Sequence, residues 1–387
     1  MLGFFLTRGR VSSLTLSFAL SFLFSDTAFS QRGGRRPGGP VAEHIDAAVR
    51  GLGVKDDAPG LGVVVIQNGR VVFKKGYGLA NVEKKTPITH ETTFELASVS
   101  KAFTSMAIMI LHDRGRLNFT DQVRKVVPEI SKIDEAHPIL ISHLLQHTSG
   151  LPEYTTLAVP APDAKGYVSN ADYAKEIAAN PTKFKSKFAP GKRHDYCNTN
   201  YMLLALIIER VSGRSYGTFV RNNIFRPLEM TGAFVNENHT LAGGSRGGHA
   251  VGYTREKKGG FAPSWGVPPD RKETLLTTGD GSVWCSLDDM IQWGKGLNEK
   301  SLVKPATWRE AMTPSHTTDG KTNPYGYGWS LELGNPRLTG YWHDGSWGGF
   351  QTSYYHSLAR NRTIILLGNR SDINTDTFWK AIEKAMN

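Results

Sequence analysis

The chain has 387 residues, of which 39% are hydrophobic, and a formal net charge of +11. This length suits two domains or one elaborated domain. The two cysteines are too few for a disulfide scaffold or a four-cysteine zinc site. The basic residues form short, separated groups and no nucleic-acid-binding motif is present, so the positive charge does not predict a nucleic-acid partner.

The first 30 residues predict a secretory signal peptide. Arg8 and Arg10 form its positive end, the apolar core runs from Val11 to Phe24, and small residues before Gln31 offer a cleavage site. The apolar run is short for a bilayer span. We therefore expect an exported protein, periplasmic or secreted, with no stable membrane insertion after the signal is removed.

The segment 31–42 is rich in Gly, Pro and Arg, and its composition predicts a disordered linker. From residue 43 to residue 387 the composition is even, without repeats or low-complexity segments. We therefore expect a single domain over 43–387, beginning with a helix at 43–52.

Strand patterns lie at the two ends of this domain. Two β-branched runs, 61–67 and 71–77, flank Asn68-Gly69, which predicts a two-residue hairpin. Later strand patterns cover 328–333, 350–355 and 363–367, and a last helix is predicted over 375–385. The fold class expected is mixed α/β (α+β), with an antiparallel sheet built from both ends of the domain and flanked by helices.

Helical patterns dominate the middle of the chain. A helix is predicted to begin at Ser98, and another near 200–212 has Gly213 as its C-cap. Ser286 opens a capping box with Asp289. These patterns predict a mostly helical insertion between the two halves of the sheet.

A nucleophile and an amine are spaced one helical turn apart at Ser98 and Lys101. A serine hydroxyl needs a base within hydrogen-bond reach before it can attack a carbonyl, and a nearby amine can help to supply that base. The same Ser-x-x-Lys spacing recurs at Ser301 and Lys304, but Pro305 follows directly, so that copy is predicted to lie in a surface loop.

A second group of candidate residues precedes the helix at 200–212. Tyr196 could serve as a general base if a cationic amine lay nearby, and Asn198 could orient a lysine or a substrate amide. The alternative is that both residues belong to a turn that caps the helix.

A third group lies in the late strand region, at His343, Gly345 and Ser346. His343 could donate a hydrogen bond to a substrate carboxylate or to Tyr196, and Gly345 would let an acyl group approach the strand closely. The backbone N–H groups of Ser346 and Ser98 would form a two-donor oxyanion hole.

These three groups, in this order, resemble the serine β-lactamase and penicillin-recognising superfamily. The resemblance is closest to its branch of class C β-lactamases, D-alanyl-D-alanine carboxypeptidases and esterases, and covers nearly all of the chain after the signal. Three further segments are similar to that branch, namely 146–152 (QHTSGLP), 278–282 (TGDGS) and 325–329 (YGYGW).

The resemblance implies a serine hydrolase that needs no cofactor or metal and works through an acyl-enzyme. Ser98 would be the acylated nucleophile, Lys101 its partner and Tyr196 the general base. Asn198, His343, Gly345 and Ser346 would contact the substrate. The implied partner is a small molecule or peptide, for example a peptidoglycan stem peptide.

One departure from the class C pattern concerns the third group. Class C β-lactamases have Lys-Thr-Gly there, whereas this chain has His343, Asp344 and Gly345. A histidine at this place is similar to D-alanyl carboxypeptidase and D-aminopeptidase members. If Asp344 faces the cleft, its charge would repel a substrate carboxylate, so efficient antibiotic hydrolysis is not expected.

Other interpretations remain open from the sequence. The segment 243–247 matches Gly-x-Ser-x-Gly but lacks the flanking strand and helix, which favours a flexible loop. His143 and His147 have metal-ligand spacing without the accompanying Glu. Cys197 and Cys285 could form a disulfide in an exported protein. A catalytically silent, penicillin-binding-like envelope protein is the alternative function.

Overall fold

The computed structural model describes residues 39–133, 136–158, 160, 168–237, 247–264, 277–299, 301–335 and 337–387. The predicted signal peptide, most of the predicted linker and most of the segment 243–247 lie outside these residues. The helices are α1 (Pro40–Gly51), α2 (Ser100–Asp113), α3 (Ile141–Leu145), α4 (Asn170–Ala179), α5 (Asn198–Ser212), α6 (Tyr216–Val220), α7 (Leu287–Glu299), α8 (Pro305–Ala311) and α9 (Thr375–Ala385).

Most strands lie near the ends of the described chain. They are β1 (Leu61–Gln67), β2 (Arg70–Tyr77), β3 (Leu79–Asn81), β4 (Thr86–Pro87), β5 (Phe94–Glu95), β6 (Phe234–Val235), β7 (Tyr253–Arg255), β8 (Phe261–Pro263), β9 (Val283–Cys285), β10 (Ser315–His316), β11 (Thr322–Asn323), β12 (Ser330–Leu333), β13 (Leu338–Trp347), β14 (Phe350–Ser357) and β15 (Arg362–Gly368).

The main sheet joins the two ends of the domain. Its strand order in the described residues is β12-β13-β14-β15-β1-β2, with every neighbouring pair antiparallel. The pairing of β1 with β15 sets Leu61 opposite Gly368 and Gln67 opposite Arg362. The predicted sheet, built from N- and C-terminal segments, is therefore confirmed.

Each face of this sheet is covered by helices. Leu61, Val63 and Val65 of β1 pack into a cluster with α1 and α9. The neighbouring Val64 and Ile66 instead belong to the large core that includes α2, α5 and α7. A strand buried on both faces is a continuous apolar run, which explains why 61–67 lacks a polar face. The active-site residues described below lie on the side of the large core.

Several local signals are confirmed. Asn68 and Gly69 both have positive φ, 52° and 73°, as a type I′ hairpin turn requires. Gly213 ends α5 in the left-handed conformation with φ 69°. Ser286 Oγ accepts a hydrogen bond from the Asp289 N–H at 3.1 Å at the start of α7. Ser301 and Lys304 lie in the loop before α8, which begins at Pro305.

One sequence-based boundary is wrong, and one small sheet was missed. The first helix begins at Pro40 rather than 43, because a proline is well suited to the first helical position. The last residues of the predicted linker are therefore helical. The short sheet β5-β9-β6 in the middle of the chain was not predicted, since strands of two or three residues are too short to show a period. Within the described residues no helix has both the length and the apolarity needed to cross a membrane.

Candidate active site

Ser98 lies in a single 3₁₀ turn, Ala97–Val99, that leads into α2. The sequence placed Ser98 at the helix start, whereas the α-helix itself begins two residues later. Ala97 has a φ of +48°, which is strained for a residue with a Cβ. This turn sets the Ser98 side chain beside Lys101 in the first turn of α2.

The sheet holds this turn in place from one side. Gly345 of β13 lies directly against it, because a Cβ built on Gly345 would stand 2.3 Å from the Leu96 carbonyl oxygen. The cross-strand partner of Gly345 is Thr352, whose hydroxyl donates to the same oxygen at 2.7 Å. Gly345 was predicted to make room for an acyl group, but the space it leaves is filled by the turn that carries Ser98.

The Lys101 side chain is fully buried and joins three segments. Its Nζ lies 3.1 Å from Ser98 Oγ, 2.8 Å from Asn198 Oδ1 and 2.9 Å from the Asp280 carbonyl oxygen. The Asn198 and Asp280 oxygens are pure acceptors, so two Nζ hydrogens point at them. The third Nζ position faces Ser98, where an ammonium would donate and a neutral amine would accept.

Asn198 is the first residue of α5, and Glu153 fixes its orientation. The backbone N–H of Asn198 donates to both carboxylate oxygens of Glu153, at 3.0 and 3.1 Å. Its side-chain Nδ2 also donates to Glu153 Oε1, at 3.4 Å. A carboxylate at a helix N-terminus satisfies otherwise unpaired N–H groups and suits the helix dipole. The amide oxygen of Asn198 is thereby directed at Lys101.

Tyr196 lies at the edge of the same cluster, with 38% of its surface exposed. Its ring stacks on His147 with centroids 4.3 Å apart, and Lys101 Nζ lies 5.0 Å from its ring centre. His147 is completely buried, and its Nδ1 accepts hydrogen bonds from the Cys197 N–H and the Asn200 amide, both at 3.1 Å. The buried His147 ring thus supports an exposed tyrosine beside the amine.

His343 is buried and uses both ring nitrogens within the protein. Its Nδ1 lies 2.7 Å from the Asp344 carbonyl oxygen, which can only accept, so Nδ1 carries the hydrogen. Nε2 then accepts from the Tyr325 hydroxyl at 2.9 Å. Burial, with Lys101 nearby, lowers the pKa of His343 to about 3. In the structure His343 therefore donates to the Asp344 carbonyl oxygen and not to Tyr196.

The register of β13 decides where the remaining third-group residues point. Trp347 and Phe350 flank a two-glycine turn, so they form a hydrogen-bonded pair and the next pair, Ser346 with Gln351, does not. The Ser346 N–H therefore points away from β14, along the strand edge that packs near the Ser98 turn. The Ser346 side chain lies on the face of the sheet opposite the large core, where its hydroxyl accepts a hydrogen bond from Gln351 Nε2 at 2.8 Å.

Asp344 lies on the face of the sheet opposite the site. Along β13 the residues Tyr341, His343 and Gly345 are buried toward the large core, whereas Trp342, Asp344 and Ser346 alternate to the other face. The Asp344 side chain lines a cavity beside α9. Its charge therefore does not face Ser98, and the repulsion expected from an inward-facing Asp344 does not arise.

Asp280 adds a second ionisable group near Lys101. Burial raises the pKa of its carboxyl to about 6, although the nearby Lys101 lowers it. The Tyr154 hydroxyl donates to Asp280 Oδ2 at 3.1 Å. Asp280 thus contacts Lys101 through its backbone carbonyl oxygen, while its carboxyl group is hydrogen-bonded to Tyr154.

The two cysteines and the histidine pair with metal-ligand spacing have the following contacts. Cys197 and Cys285 are both buried and free, so they do not form a disulfide. His143 Nδ1 accepts from the Leu140 N–H at 3.2 Å, and His147 Nδ1 accepts from Cys197 and Asn200. No group of three potential metal ligands is found among the described residues.

Sequence reasoning missed three residues of the site. Glu153 directly follows the segment 146–152 and carries no pattern of its own, and its role depends on a contact between distant segments. Asp280 lies inside the Gly-rich segment, but its contact with Lys101 is made by a backbone atom. Tyr325 belongs to the segment 325–329. Its position in that motif, to which no role had been assigned, was the sequence signal that could have indicated a place in the site.

Comparison with known proteins places most of the chain in one family. A family model described as Beta-lactamase matches residues 45–382. Penicillin-binding protein 4* of Bacillus subtilis is 29% identical over 350 residues, which is 89% of this chain and 74% of that protein. The D-aminopeptidase of Gluconobacter oxydans is 28% identical over 84% of this chain, which spans 58% of that longer protein.

Solved structures of similar proteins support the same family assignment. The octameric penicillin-binding protein homologue from Pyrococcus abyssi matches with a TM-score of 0.72 at 26% identity, over 90% of this chain and 77% of that one. EstCE1, described as a hydrolase with promiscuous acyltransferase activity, matches with a TM-score of 0.71 at 17% identity, over 90% and 98% of the two chains, which shows the shared fold. The chain therefore belongs to the beta-lactamase family of serine hydrolases.

Proposed function

We propose that the protein hydrolyses an ester or amide bond through an acyl-enzyme on Ser98. The observation that carries this proposal is the contact of Lys101 Nζ with both Ser98 Oγ and Asn198 Oδ1, at 3.1 and 2.8 Å. Ser98 Oγ attacks the substrate carbonyl carbon, and the alcohol or amine leaves with a proton. Water then attacks the acyl carbonyl and frees Ser98.

The proton of Ser98 passes to the pair formed by Lys101 and Tyr196. Lys101 lies in hydrogen-bond contact with Ser98, and the Tyr196 ring lies over the same amine. A neutral Lys101 amine can receive the proton and become an ammonium, or a Tyr196 phenolate that the Lys101 ammonium stabilises can receive it and become a neutral phenol. Asn198, held by Glu153, keeps Lys101 from turning away from Ser98.

The negative charge on the substrate oxygen would be stabilised by the backbone N–H groups of Ser98 and Ser346. The Ser98 N–H makes no hydrogen bond to the residues that the structure describes. The register directs the Ser346 N–H toward the same region. Preorganised donors of this kind are usually a large part of catalysis in acyl transfer.

The state of His343 favours substrates without a free carboxylate beside the reacting carbonyl. A neutral, fully engaged imidazole stands where the class C pattern has a lysine, so this position offers no cation. Among the options of D,D-peptidase, D-aminopeptidase and esterase, this supports amino-terminal D-peptidase or esterase activity over carboxypeptidase activity. The D-aminopeptidase name of one relative points the same way.

The site would act outside the cytoplasm on a small molecule or a peptide, such as a peptidoglycan stem peptide. The predicted signal peptide supports this location. Two of the relatives carry names that describe penicillin binding, which fits a peptide-like substrate.

Intact-protein mass after treatment with a fluorophosphonate tests the proposal, using wild type and Ser98→Ala. We expect one adduct on wild type and none on the variant. A p-nitrophenyl ester and a D-alanine p-nitroanilide should then be turned over by wild type, while benzylpenicillin leaves little lasting adduct. Folded wild type without any fluorophosphonate adduct would refute the mechanism and favour the catalytically silent alternative.

A further inference from the structure

A second cavity lies on the opposite face of the sheet from Ser98. It has a volume of about 190 Å³ and lies between strands β12 to β14 and helix α9. Its lining is contributed by Glu332, Trp342, Asp344, Ser353, Tyr355, Asp376 and Trp379. Neither the proposed mechanism nor the packing of the large core uses this cavity.

The walls of the cavity are aromatic. Trp342 and Tyr355 are cross-strand partners on β13 and β14, and Trp342 is 38% exposed. Trp379 of α9 stacks on Tyr355, with centroids 4.7 Å apart and planes inclined by 13°. Indole and phenol faces attract cations and also pack well against alkyl chains.

Three of the lining residues carry carboxylates, and the described residues supply an ion-pair partner for one of them. Asp376 is paired with Lys380 at 2.5 Å. The Glu332 carboxylate accepts from the Tyr355 hydroxyl at 3.2 Å, and neither Glu332 nor Asp344 has an ion-pair partner among the described residues. Burial and the nearby Asp376 raise the pKa of Asp344. In a chain with a net charge of +11, this cavity is a local negative site.

We propose that this cavity binds a primary alkylammonium group, as carried by a free alkylamine or a lysine-type side chain. The alkyl chain would lie against Trp342 and Trp379, and the ammonium would donate to Asp344 and Glu332. A primary ammonium has three donors for these oxygens, whereas a quaternary ammonium has none. The site is separate from Ser98 and does not depend on the proposed hydrolysis.

Binding can be followed on the full chain labelled with ¹⁵N-tryptophan, which contains 8 indole groups. The probes are n-pentylamine at neutral pH, tetramethylammonium, 1-pentanol and Nα-acetyl-lysine methylamide. The signals of Trp342 and Trp379 are assigned with the Trp342→Phe and Trp379→Phe variants. We expect pentylamine to shift these two signals saturably and the other two small probes to do so far more weakly.

Asp344→Asn keeps an acceptor for its neighbours and removes the charge, so it should weaken pentylamine binding about tenfold. Glu332→Gln gives a second measure should Asp344→Asn fail to fold. Asp319→Asn, at an exposed carboxylate paired with Lys321, is the matched control and should bind like wild type.

Each result decides the matter. Equal shifts with pentanol would mean that the cavity is merely apolar, and tighter binding of tetramethylammonium would overturn the assignment to a primary ammonium. Wild-type affinity in both folded carboxylate variants, or no shift of either indole with pentylamine, would overturn the site altogether. Shifts of the two indole signals with Nα-acetyl-lysine methylamide would identify lysine side chains of peptides as the source of the bound ammonium. Shifts with pentylamine alone would identify free amines.

Discussion

Lys101 Nζ and Asn198 Oδ1 lie 2.8 Å apart and thereby join the first turn of α2 to the first turn of α5. The nucleophile and its amine come from α2 and its preceding turn, while the amide that holds the amine comes from a segment almost a hundred residues later. Glu153, from a third segment, sets the direction of that amide. The positions of the catalytic groups therefore depend on how closely these three segments pack together.

Replacing Glu153 should weaken catalysis without removing any group that touches the substrate. In Glu153→Gln the charge-assisted bonds to the Asn198 N–H groups become neutral, and the helix α5 loses a negative charge at its N-terminus. We expect kcat to fall about tenfold with little change in KM, and the free energy of unfolding to fall by about 1 kcal/mol. Steady-state kinetics with a p-nitrophenyl ester and urea unfolding measure the two effects.

Glu129→Gln is the control for this change, because Glu129 pairs with Arg210 away from Ser98. It should alter stability to a similar degree and leave kcat unchanged. Were both variants to lose stability and neither to lose kcat, Glu153 would be a structural residue only.

Tyr196→Phe isolates the hydroxyl of Tyr196. The phenyl ring can keep the stack on His147, so the free energy of unfolding should stay within about 0.5 kcal/mol of wild type. Loss of the hydroxyl should lower kcat/KM by about two to four orders of magnitude if it acts as a general base. Single-turnover acylation by the ester separates this step from deacylation, and an unchanged acylation rate would assign the Ser98 proton to Lys101 alone.

The sequence predicted the parts of the protein whose signals are local. The hairpin at Asn68-Gly69, the C-cap at Gly213 and the capping box at Ser286 each depend on a few neighbouring residues, and all three are confirmed. The sheet from the two chain ends followed from strand patterns at both ends of a mostly helical middle segment.

The contacts that the sequence did not predict depend on tertiary geometry. Nothing near Gly345 indicates that its missing side chain makes room for Leu96, and nothing near His343 indicates that Tyr325 and a backbone carbonyl engage both ring nitrogens. The sequence also could not predict which face of the sheet Asp344 points to, but for a different reason. A shift of the strand register by one residue would have reversed it.

Asp280 should make the stability of the protein depend on pH in a defined direction. Burial raises the pKa of its carboxyl from 3.8 to about 6, so between these values the folded protein binds a proton that the unfolded chain has released. This contribution to stability therefore falls as the pH rises through that range. Asp280→Asn removes the ionisation and can still accept from Tyr154.

The test compares the unfolding free energies of Asp280→Asn and wild type at pH 4.5 and pH 7. We expect the variant to gain about 2 kcal/mol on wild type between the two conditions. Asp319 is a suitable control, since hydrogen bonding by Thr317 lowers the pKa of its carboxyl, so it is ionised in the folded and the unfolded state at both pH values and Asp319→Asn should differ from wild type by the same amount at each. A difference between Asp280→Asn and wild type that stays constant with pH would contradict the assignment.

Gly345→Ala should displace the nucleophile without altering any catalytic side chain. The added Cβ would stand 2.3 Å from the Leu96 carbonyl oxygen, 2.4 Å from Thr352 Oγ1 and 3.1 Å from Ala97 Cβ. Two of these atoms already share a hydrogen bond of 2.7 Å, so they cannot move apart freely and the turn that carries Ser98 must shift. Overpacking of this kind lowers stability by about 1–3 kcal/mol.

A shift of about 1 Å in a reacting group is enough to lower the rate about a hundredfold. We therefore expect the fluorophosphonate labelling rate of Gly345→Ala to fall by about two orders of magnitude, beyond what its remaining folded fraction explains. Gly51→Ala at the end of α1 is the matched control, because a Cβ there meets no atom within 4 Å and labelling should proceed as in wild type. If folded Gly345→Ala were labelled at the wild-type rate, Ser98 would not depend on the close packing of its turn against β13, and the position of the nucleophile would have to be set by α2 alone.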